Sequence, residues 1–141
     1  MSICYLNGNY VELSKASISP LDRGFLFGDS VYEVFAAYEK NLFRLDDHME
    51  RLKKNLESLS INIALKNSEI KSILQKVCEK NPEENQIIYL QISRGAEAIR
   101  NHIPIKETQP TIFICSFELK NVPSEKNDPI TAVLNPDIRW K

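Results

Sequence analysis

Hydrophobic and polar residues alternate in two short segments near the N-terminus, residues 3–6 and 10–13. Asn7-Gly8 lies between them, and both residue types tolerate the positive φ angles of a two-residue hairpin turn. The alternation therefore predicts two strands joined as an N-terminal hairpin. Residues 14–28, which contain Pro20 and two glycines, are predicted to form a loop.

A third alternating segment spans residues 31–38 and predicts a longer strand. Residues 39–41 are typical of a turn, and residues 42–45 are expected to return as the hairpin partner of that strand. Successive side chains of a strand point to opposite faces of a sheet. Tyr32 is expected at the end of this strand, beside a tight loop where functional side chains are often held. Glu33 is expected on the other face, in a structural ion pair with an arginine.

The hydrophobic period then changes from two to between three and four, which is typical of one face of a helix. It predicts a first helix over residues 47–60, and Asp47 with Glu50 fits a capping box at its start. A second helix is predicted over residues 68–80, ending before Pro82. The apolar faces are formed by Leu45, Met49, Leu52, Leu56 and Leu59 in the first helix and by Ile70, Ile73, Leu74 and Val77 in the second.

Three later segments are rich in β-branched and aromatic residues, which predicts strands over residues 87–94, 111–118 and 130–134. Strands, two consecutive helices and strands again favour an α+β layered domain over repeated βαβ units. With 141 residues, 43% of them hydrophobic, the chain has the material for one core. We therefore expect a single domain over residues 1–141.

Charge and cysteine content exclude several classes of function. The net charge is −1 and the basic residues are interspersed with acidic ones, so neither a nucleic acid nor an anionic membrane surface is an expected partner. The three cysteines are far apart and lack metal-ligand spacing, which indicates buried thiols in a reducing compartment. The sequence has no leader-like N-terminus and no apolar run long enough for a membrane helix. A cytoplasmic protein is expected.

Arg51 is the first candidate for chemistry, because it lies one turn after His48 on the polar flank of the first predicted helix. An arginine held there can bind a phosphate through two N–H groups. Spacing alone favours a solvated arginine paired with Glu50 or Asp47. His48 is compatible with a surface, capping or site role.

Arg100 and His102 form a second candidate site. They occupy alternate positions after the predicted strand 87–94, so an extended backbone places both side chains on one side. A guanidinium beside an imidazole can bind a carboxylate. Loop charges without a ligand are the alternative. Arg94 and Gly95 are expected to support this loop rather than to contact a ligand.

Five segments resemble, in order and spacing, the class IV (fold type IV) pyridoxal-phosphate aminotransferases, in particular the D-amino acid aminotransferases. The resemblance implies the small N-terminal domain of that fold, in which two consecutive helices pack on an antiparallel-rich sheet. Its activity would be transamination from a D-amino acid such as D-alanine to a 2-oxo acid such as 2-oxoglutarate. The matching segments are residues 22–34 (DRGFLFGDSVYEV), 46–52 (DDHMERL), 93–95 (SRG), 100–102 (RNH) and 137–140 (DIRW).

The resemblance also implies roles for individual residues. Arg51 matches the arginine that binds the 5'-phosphate of pyridoxal 5'-phosphate in the full-length enzyme. Tyr32, Arg100 and His102 match the residues that bind the α-carboxylate of the amino acid. The last two reach the site from the partner subunit, which implies a homodimer.

The lysine that holds the cofactor in this family follows the Arg-Trp pair by a few residues. Lys141 follows Trp140 directly, which is too early for that role. We therefore expect the chain to be the N-terminal half of a two-domain enzyme, without the lysine-bearing domain, and inactive alone; no residue is assigned as catalytic. Aminodeoxychorismate lyase and branched-chain aminotransferase, which share the fold, are alternative activities. A non-catalytic binding or dimerisation module is a third.

Overall fold

The computed structural model describes residues 1–120 and 131–136, and within them six strands form one antiparallel sheet with the order β2-β1-β6-β5-β3-β4. The long pairings of β5 with β3 and with β6 keep the polar backbone groups hydrogen-bonded in the centre of the sheet. The strands are β1 (Ile3–Leu6), β2 (Asn9–Glu12), β3 (Ser30–Tyr38), β4 (Asn41–Leu42), β5 (Gln86–Ser93) and β6 (Thr111–Glu118). The α-helices are α1 (Arg23–Phe27), α2 (Leu45–Ser58) and α3 (Asn67–Lys80).

The hydrophobic core lies between one face of the sheet and the helices α2 and α3. Alternate residues of β3, β5 and β6 point toward the helices, whose apolar faces cover them. The predicted α+β fold with two consecutive helices on a sheet is confirmed. The largest fully buried apolar side chains are Phe35, Met49, Leu52, Ile70, Leu74, Ile88, Leu90, Ile92 and Ile114.

The opposite face of the sheet, called here the open face, is apolar but much less covered by the described residues. Tyr32, Val34 and Phe117 are exposed on it. Cys4 and Cys115 also belong to this face but are fully buried, so the expected burial of the thiols is confirmed, as it is for Cys78. Burial raises the pKa of all three thiols, that of Cys115 to about 11.

The periodic segments match their predictions closely. The N-terminal hairpin is confirmed, with Asn7 and Gly8 both at positive φ. The strands predicted at 31–38, 87–94 and 111–118 and both helices are found within two residues of their expected bounds. Their strong period and their turn residues explain this agreement.

Four local predictions were wrong. The predicted loop 14–28 contains α1 and a short 3₁₀ turn at Leu13–Lys15. The predicted return strand 42–45 is limited to β4, because Arg44 adopts a left-handed conformation and α2 begins at Leu45. Asp47 does not cap α2, since its carboxylate pairs with the Arg44 side chain instead. Residues 131–134 of the predicted last strand are not in a strand, because they are exposed and pair with no described strand. Ile130 and residues 137–140 lie outside the described residues.

Candidate active site

Glu33 is a fully buried carboxylate between β3 and α2, and it organises the first candidate site. Arg51 donates from Nε to Oε1 at 2.7 Å and from Nη2 to Oε2 at 2.6 Å. His48 Nδ1 lies 2.8 Å from Oε2 and donates a third hydrogen bond. The expected ion pair of Glu33 with an arginine is confirmed. The alternative pairing of Arg51 with Glu50 or Asp47 is wrong, because those carboxylates pair with lysine and arginine neighbours on the helix surface.

The electrostatics of this cluster favour a charged pair. Burial alone raises the pKa of Glu33, but the hydrogen bonds from Arg51 and His48 outweigh it and hold that pKa below its ordinary value. The hydrogen bonds to Glu33 in turn raise the pKa of Arg51. Glu33 therefore fixes the orientation of the guanidinium and balances its charge.

Arg51 retains donors for a ligand. Its side chain is 62% exposed, and the contacts with Glu33 use only the Nε/Nη2 edge of the guanidinium. Nη1 has no hydrogen-bond partner among residues 1–120 and 131–136. Because the guanidinium is a rigid planar fork, its Nη1/Nη2 edge points away from Glu33 and can bind a phosphate. The geometry fits an anion anchor whose carboxylate partner holds it in place.

Tyr32 projects from the open face, opposite to Glu33, as the alternation predicts. The residue is 63% exposed, and its ring stacks on that of Tyr89 with the ring centroids 6.0 Å apart. The Tyr89 hydroxyl donates to Gln91 at 2.8 Å, so Tyr89 is itself held in place. The phenol of Tyr32 is thus presented on a rigid aromatic support.

The sheet has an uncovered edge along the first half of β3, beside Tyr32. On the side away from β5, β4 pairs only with Ala37 and Tyr38, so within the described ranges the first half of β3 has no strand partner there. A cleft of about 330 Å³ runs along this edge and is lined by Tyr32 and by Asn55. Asn55 lies one turn after Arg51 on the same face of α2. Tyr32 and the face of α2 that carries Arg51 and Asn55 therefore border the same edge of the sheet.

Arg100 and His102 are exposed and lie in the segment between β5 and β6. Their predicted placement on one side is confirmed, because both contact the same ring of Phe27. The Arg100 guanidinium is 4.7 Å from the ring centroid, and the His102 ring centroid is 5.4 Å from it. Within the described residues, neither side chain has a contact with Tyr32 or Arg51. The structure thus brings Arg100 and His102 together at Phe27, while Arg51 contacts Glu33 and Tyr32 contacts Tyr89.

Arg94 does not support the loop of residues 97–105 as expected, because its hydrogen bonds go to Asp29 and to the end of α2, whereas Gly95 packs against the backbone of Gln109, which follows that loop. Arg94 donates from Nε and Nη2 to both carboxylate oxygens of Asp29 and also to the carbonyl oxygens of Leu59 and Ser60. Gly95 has φ +103°, and a Cβ atom there would overlap the carbonyl oxygen of Gln109. Only glycine fits this position.

Two buried residues of α1 and its cap escaped the sequence analysis. Asp22 caps α1 by accepting from the Gly24 N–H, and it also accepts from the hydroxyls of Ser93 and Thr111. Arg23 is almost fully buried beneath the segment that carries Arg100 and His102. In the sequence, the feature that could have drawn attention to them is the adjacent pair of opposite charges, Asp22 and Arg23, directly before Gly24. The described residues contain no cluster of potential metal ligands.

Comparison with known families decides the affiliation. The family model for class IV amino-transferases matches residues 30–141. The chain belongs to the class IV aminotransferases. The matched residues include β3, Arg51 and the segment that carries Arg100. None of the described helices has the length and apolar character needed to cross a membrane.

Class IV relatives include D-alanine aminotransferases. That of Bacillus licheniformis is 33% identical over 134 residues, which are 95% of this chain and 47% of the relative. That of Staphylococcus epidermidis is 31% identical over 141 residues, 99% of this chain and 50% of the relative. The chain thus spans about half the length of the curated relatives it matches.

Solved structures of class IV aminotransferases share the fold. The Escherichia coli branched-chain amino acid aminotransferase superposes with a TM-score of 0.77 at 21% identity, covering 83% of this chain and 40% of that one. The branched-chain aminotransferase of the thermophilic archaeon Thermoproteus uzoniensis, solved with norvaline, gives a TM-score of 0.70 at 21% identity over 83% of this chain and 40% of that one. At these identities the likeness shows the fold alone.

Proposed function

We propose that residues 1–141 are the small N-terminal domain of a pyridoxal 5'-phosphate-dependent aminotransferase that acts on D-amino acids. The amino group would pass from D-alanine or a similar donor to a 2-oxo acid of the 2-oxoglutarate type. The observation that carries this proposal is the match of almost the whole chain to D-alanine aminotransferases at 31–33% identity. The share of those relatives that it covers supports an N-terminal half.

Arg51 is the proposed anchor for the cofactor's 5'-phosphate. Its free Nη1/Nη2 edge, its orientation by Glu33 and its position one turn before Asn55, which lines the cleft at β3, support the assignment. When bound, pyridoxal 5'-phosphate supplies an aldehyde carbon and an electron-withdrawing ring for the transfer of the amino group. Arg51 contributes binding and orientation of the cofactor, and Glu33 holds the guanidinium in place.

Tyr32, Arg100 and His102 are the proposed carboxylate receptor. A phenol, a guanidinium and an imidazole together offer the hydrogen-bond donors that a carboxylate needs. Arg100 and His102 lie apart from Tyr32 within one chain, which supports the proposal that a second copy of the enzyme delivers them in a homodimer. The amino acid and the 2-oxo acid would share this receptor.

The lysine that holds the cofactor is proposed to lie in the half of the relatives that this chain does not match, so that these residues alone are inactive. Lys141 lies outside the described residues. A cytoplasmic location is proposed as well, supported by three buried cysteines without a disulfide partner.

The amino donor tests the proposed substrate class. The full-length enzyme that contains this chain, loaded with pyridoxal 5'-phosphate, would be assayed with D-alanine and with L-leucine or L-valine against 2-oxoglutarate. A higher kcat/KM for D-alanine is the expected result. Preference for L-branched donors would favour branched-chain transamination and would overturn the D-amino acid assignment. Release of pyruvate from aminodeoxychorismate without net amino transfer would assign the lyase activity.

A further inference from the structure

Arg23 is a buried arginine whose place in the fold is explained by neither the core nor the cofactor site. It begins the five-residue helix α1, and its side chain is only 5% exposed. A buried guanidinium is costly unless each of its donors finds a partner. The identity of those partners therefore shows what the residue holds in place.

Two of the partners are carboxylates. Arg23 Nε donates to Asp29 Oδ2 at 2.9 Å, and Nη1 donates to Glu97 Oε2 at 3.3 Å. These ion pairs neutralise the buried charge and raise the pKa of Arg23. Asp29 is also bound by Arg94, so the first pair belongs to the framework that joins α1 to β5.

The other two partners belong to the segment of the proposed carboxylate receptor. Arg23 Nη1 donates to the carbonyl oxygen of Asn101 at 2.7 Å, and Nη2 donates to that of His102 at 3.1 Å. One rigid guanidinium thus fixes two consecutive peptide groups directly after Arg100. In an otherwise exposed segment, these two bonds fix the path of the backbone.

Phe27, one turn after Arg23 on α1, completes the arrangement. Its ring contacts the Arg23 guanidinium at 4.7 Å and also contacts the side chains of Arg100 and His102. Cation–π contacts of this kind orient a guanidinium over the ring face. Arg23 therefore holds the backbone of the segment while Phe27 holds its two functional side chains.

Glu97 closes the segment on itself. Its Oε1 accepts from the backbone N–H of Ile105 at 2.8 Å and from the Thr108 hydroxyl at 3.3 Å, while Oε2 faces Arg23. The hydrogen bond from Ile105 contributes most to lowering the pKa of Glu97. Residues 97–105 consequently form one loop that is tied at both ends to a single carboxylate and through it to α1.

We propose that Arg23 is the positioning residue of the carboxylate receptor, fixing the backbone at residues 101 and 102 so that Arg100 and His102 face a carboxylate together. The inference rests on the proposed function of those two residues. Lysine cannot replace Arg23, because one ammonium group cannot bind Asp29, Glu97 and two carbonyl oxygens in a planar fork.

The test compares Arg23→Lys with Arg94→Lys and Arg100→Ala in the full-length enzyme loaded with pyridoxal 5'-phosphate. Arg94→Lys is the matched control, because Arg94 binds the same Asp29 but neither Asn101 nor His102. Each variant is measured for KM and kcat with 2-oxoglutarate, for cofactor affinity, and for hydrogen exchange of the amides of residues 97–105.

Arg23→Lys is expected to raise KM about tenfold or more, the effect of losing hydrogen bonds at a charged donor, with kcat changed less than about threefold. The amides of 97–105 should exchange faster, and cofactor affinity should not change. Arg94→Lys should leave KM and the exchange of this loop close to wild type. If Arg23→Lys does not fold, Phe27→Leu replaces it in the test. This variant keeps Arg23 but removes the ring that contacts Arg23, Arg100 and His102, so it should also raise KM.

Three outcomes would overturn the inference. An unchanged KM in Arg23→Lys beside a raised KM in Arg100→Ala would show that Arg23 does not position the receptor. An equal rise of KM in Arg23→Lys and Arg94→Lys would assign the effect to general destabilisation. An unchanged KM in Arg100→Ala would refute the carboxylate assignment and, with it, the positioning role of Arg23. A separate outcome, the absence of transamination by the wild-type enzyme, would refute the proposed function.

Discussion

Replacing Glu33 by glutamine is expected to destabilise the 141-residue chain by about 2 kcal/mol at neutral pH. The fully buried carboxylate accepts two hydrogen bonds from Arg51 and one from His48. A hydrogen bond to a charged group contributes about 1.5–3 kcal/mol, and breaking a buried ion pair costs about 3–5 kcal/mol. Arg51 is 62% exposed, so water screens the pair and the low end of these values applies. The glutamine amide also keeps one acceptor for the guanidinium.

Glu50→Gln is the matched control for this substitution. Glu50 pairs with Lys54 at 2.8 Å on the surface of the same helix, and both side chains are exposed. Its loss should leave the free energy of unfolding unchanged within error, because exposed ion pairs are weak. Urea unfolding at pH 7, followed by circular dichroism, measures the two variants against wild type.

The pH dependence checks the cause of the destabilisation. The hydrogen bonds to Arg51 and His48 outweigh burial and lower the pKa of Glu33 in the folded state. The stabilisation is therefore complete above the unfolded pKa of about 4.3 and is lost as the pH falls through the lowered folded value. The difference between wild type and Glu33→Gln should shrink in acid. A difference that is equal at pH 7 and pH 3, or no larger than that of Glu50→Gln, would refute the reasoning.

Three further predictions concern buried positions. Gly95→Ala should lower the free energy of unfolding by at least about 3 kcal/mol, because φ is +103° and a Cβ would overlap a backbone carbonyl oxygen. Its control, Gly8→Ala, has a similar φ of +98° but open space around the Cβ, and should lose about 1 kcal/mol. Thermal unfolding compares the two variants, and equal losses of stability would contradict the steric argument. Asn81→Ala should lower the free energy of unfolding by about 2–4 kcal/mol, because the buried amide joins β1 to α3 through three hydrogen bonds. The control is Asn62→Ala at an exposed position, which should leave that free energy nearly unchanged. Burial raises the pKa of Cys115 to about 11, and the thiolate is the reactive form of a cysteine. At pH 8 Cys115 should therefore react with a thiol reagent at least about 100-fold more slowly in the folded chain than in the urea-unfolded chain. Comparable rates would show that the thiol is accessible.

The fold was largely predictable because its long elements carry strong periods. The alternation in β3 assigned Tyr32 and Glu33 to opposite faces, and the apolar spacing located α2 and α3 within two residues. The helix α1 was not predictable, since five residues with two glycines nearby show no helical period. Residues 131–134 have the β-branched composition of a strand but do not form one. Such residues form a strand only where another strand offers its edge for pairing.

Most contacts of the candidate site residues were not predictable, although an arginine partner for Glu33 was expected and is found. Spacing within α2 suggested Glu50 or Asp47 as the partner of Arg51, whereas the partner is Glu33, 18 residues away on a strand. The role of Arg23 depends on contacts with residues 97–102, which no local pattern reveals. Tertiary hydrogen bonds of this kind connect distant segments, so only the folded structure identifies them.

Cofactor binding tests most directly the claim that this domain anchors pyridoxal 5'-phosphate. The dissociation constant would be measured by absorbance titration in the full-length enzyme for wild type, Arg51→Ala and Lys54→Ala, the last removing one positive charge from the same helix. Arg51→Ala is expected to weaken binding about 10- to 100-fold, the effect of losing charge-assisted hydrogen bonds to a phosphate, while Lys54→Ala leaves it unchanged. Equal dissociation constants in all three proteins would contradict the account.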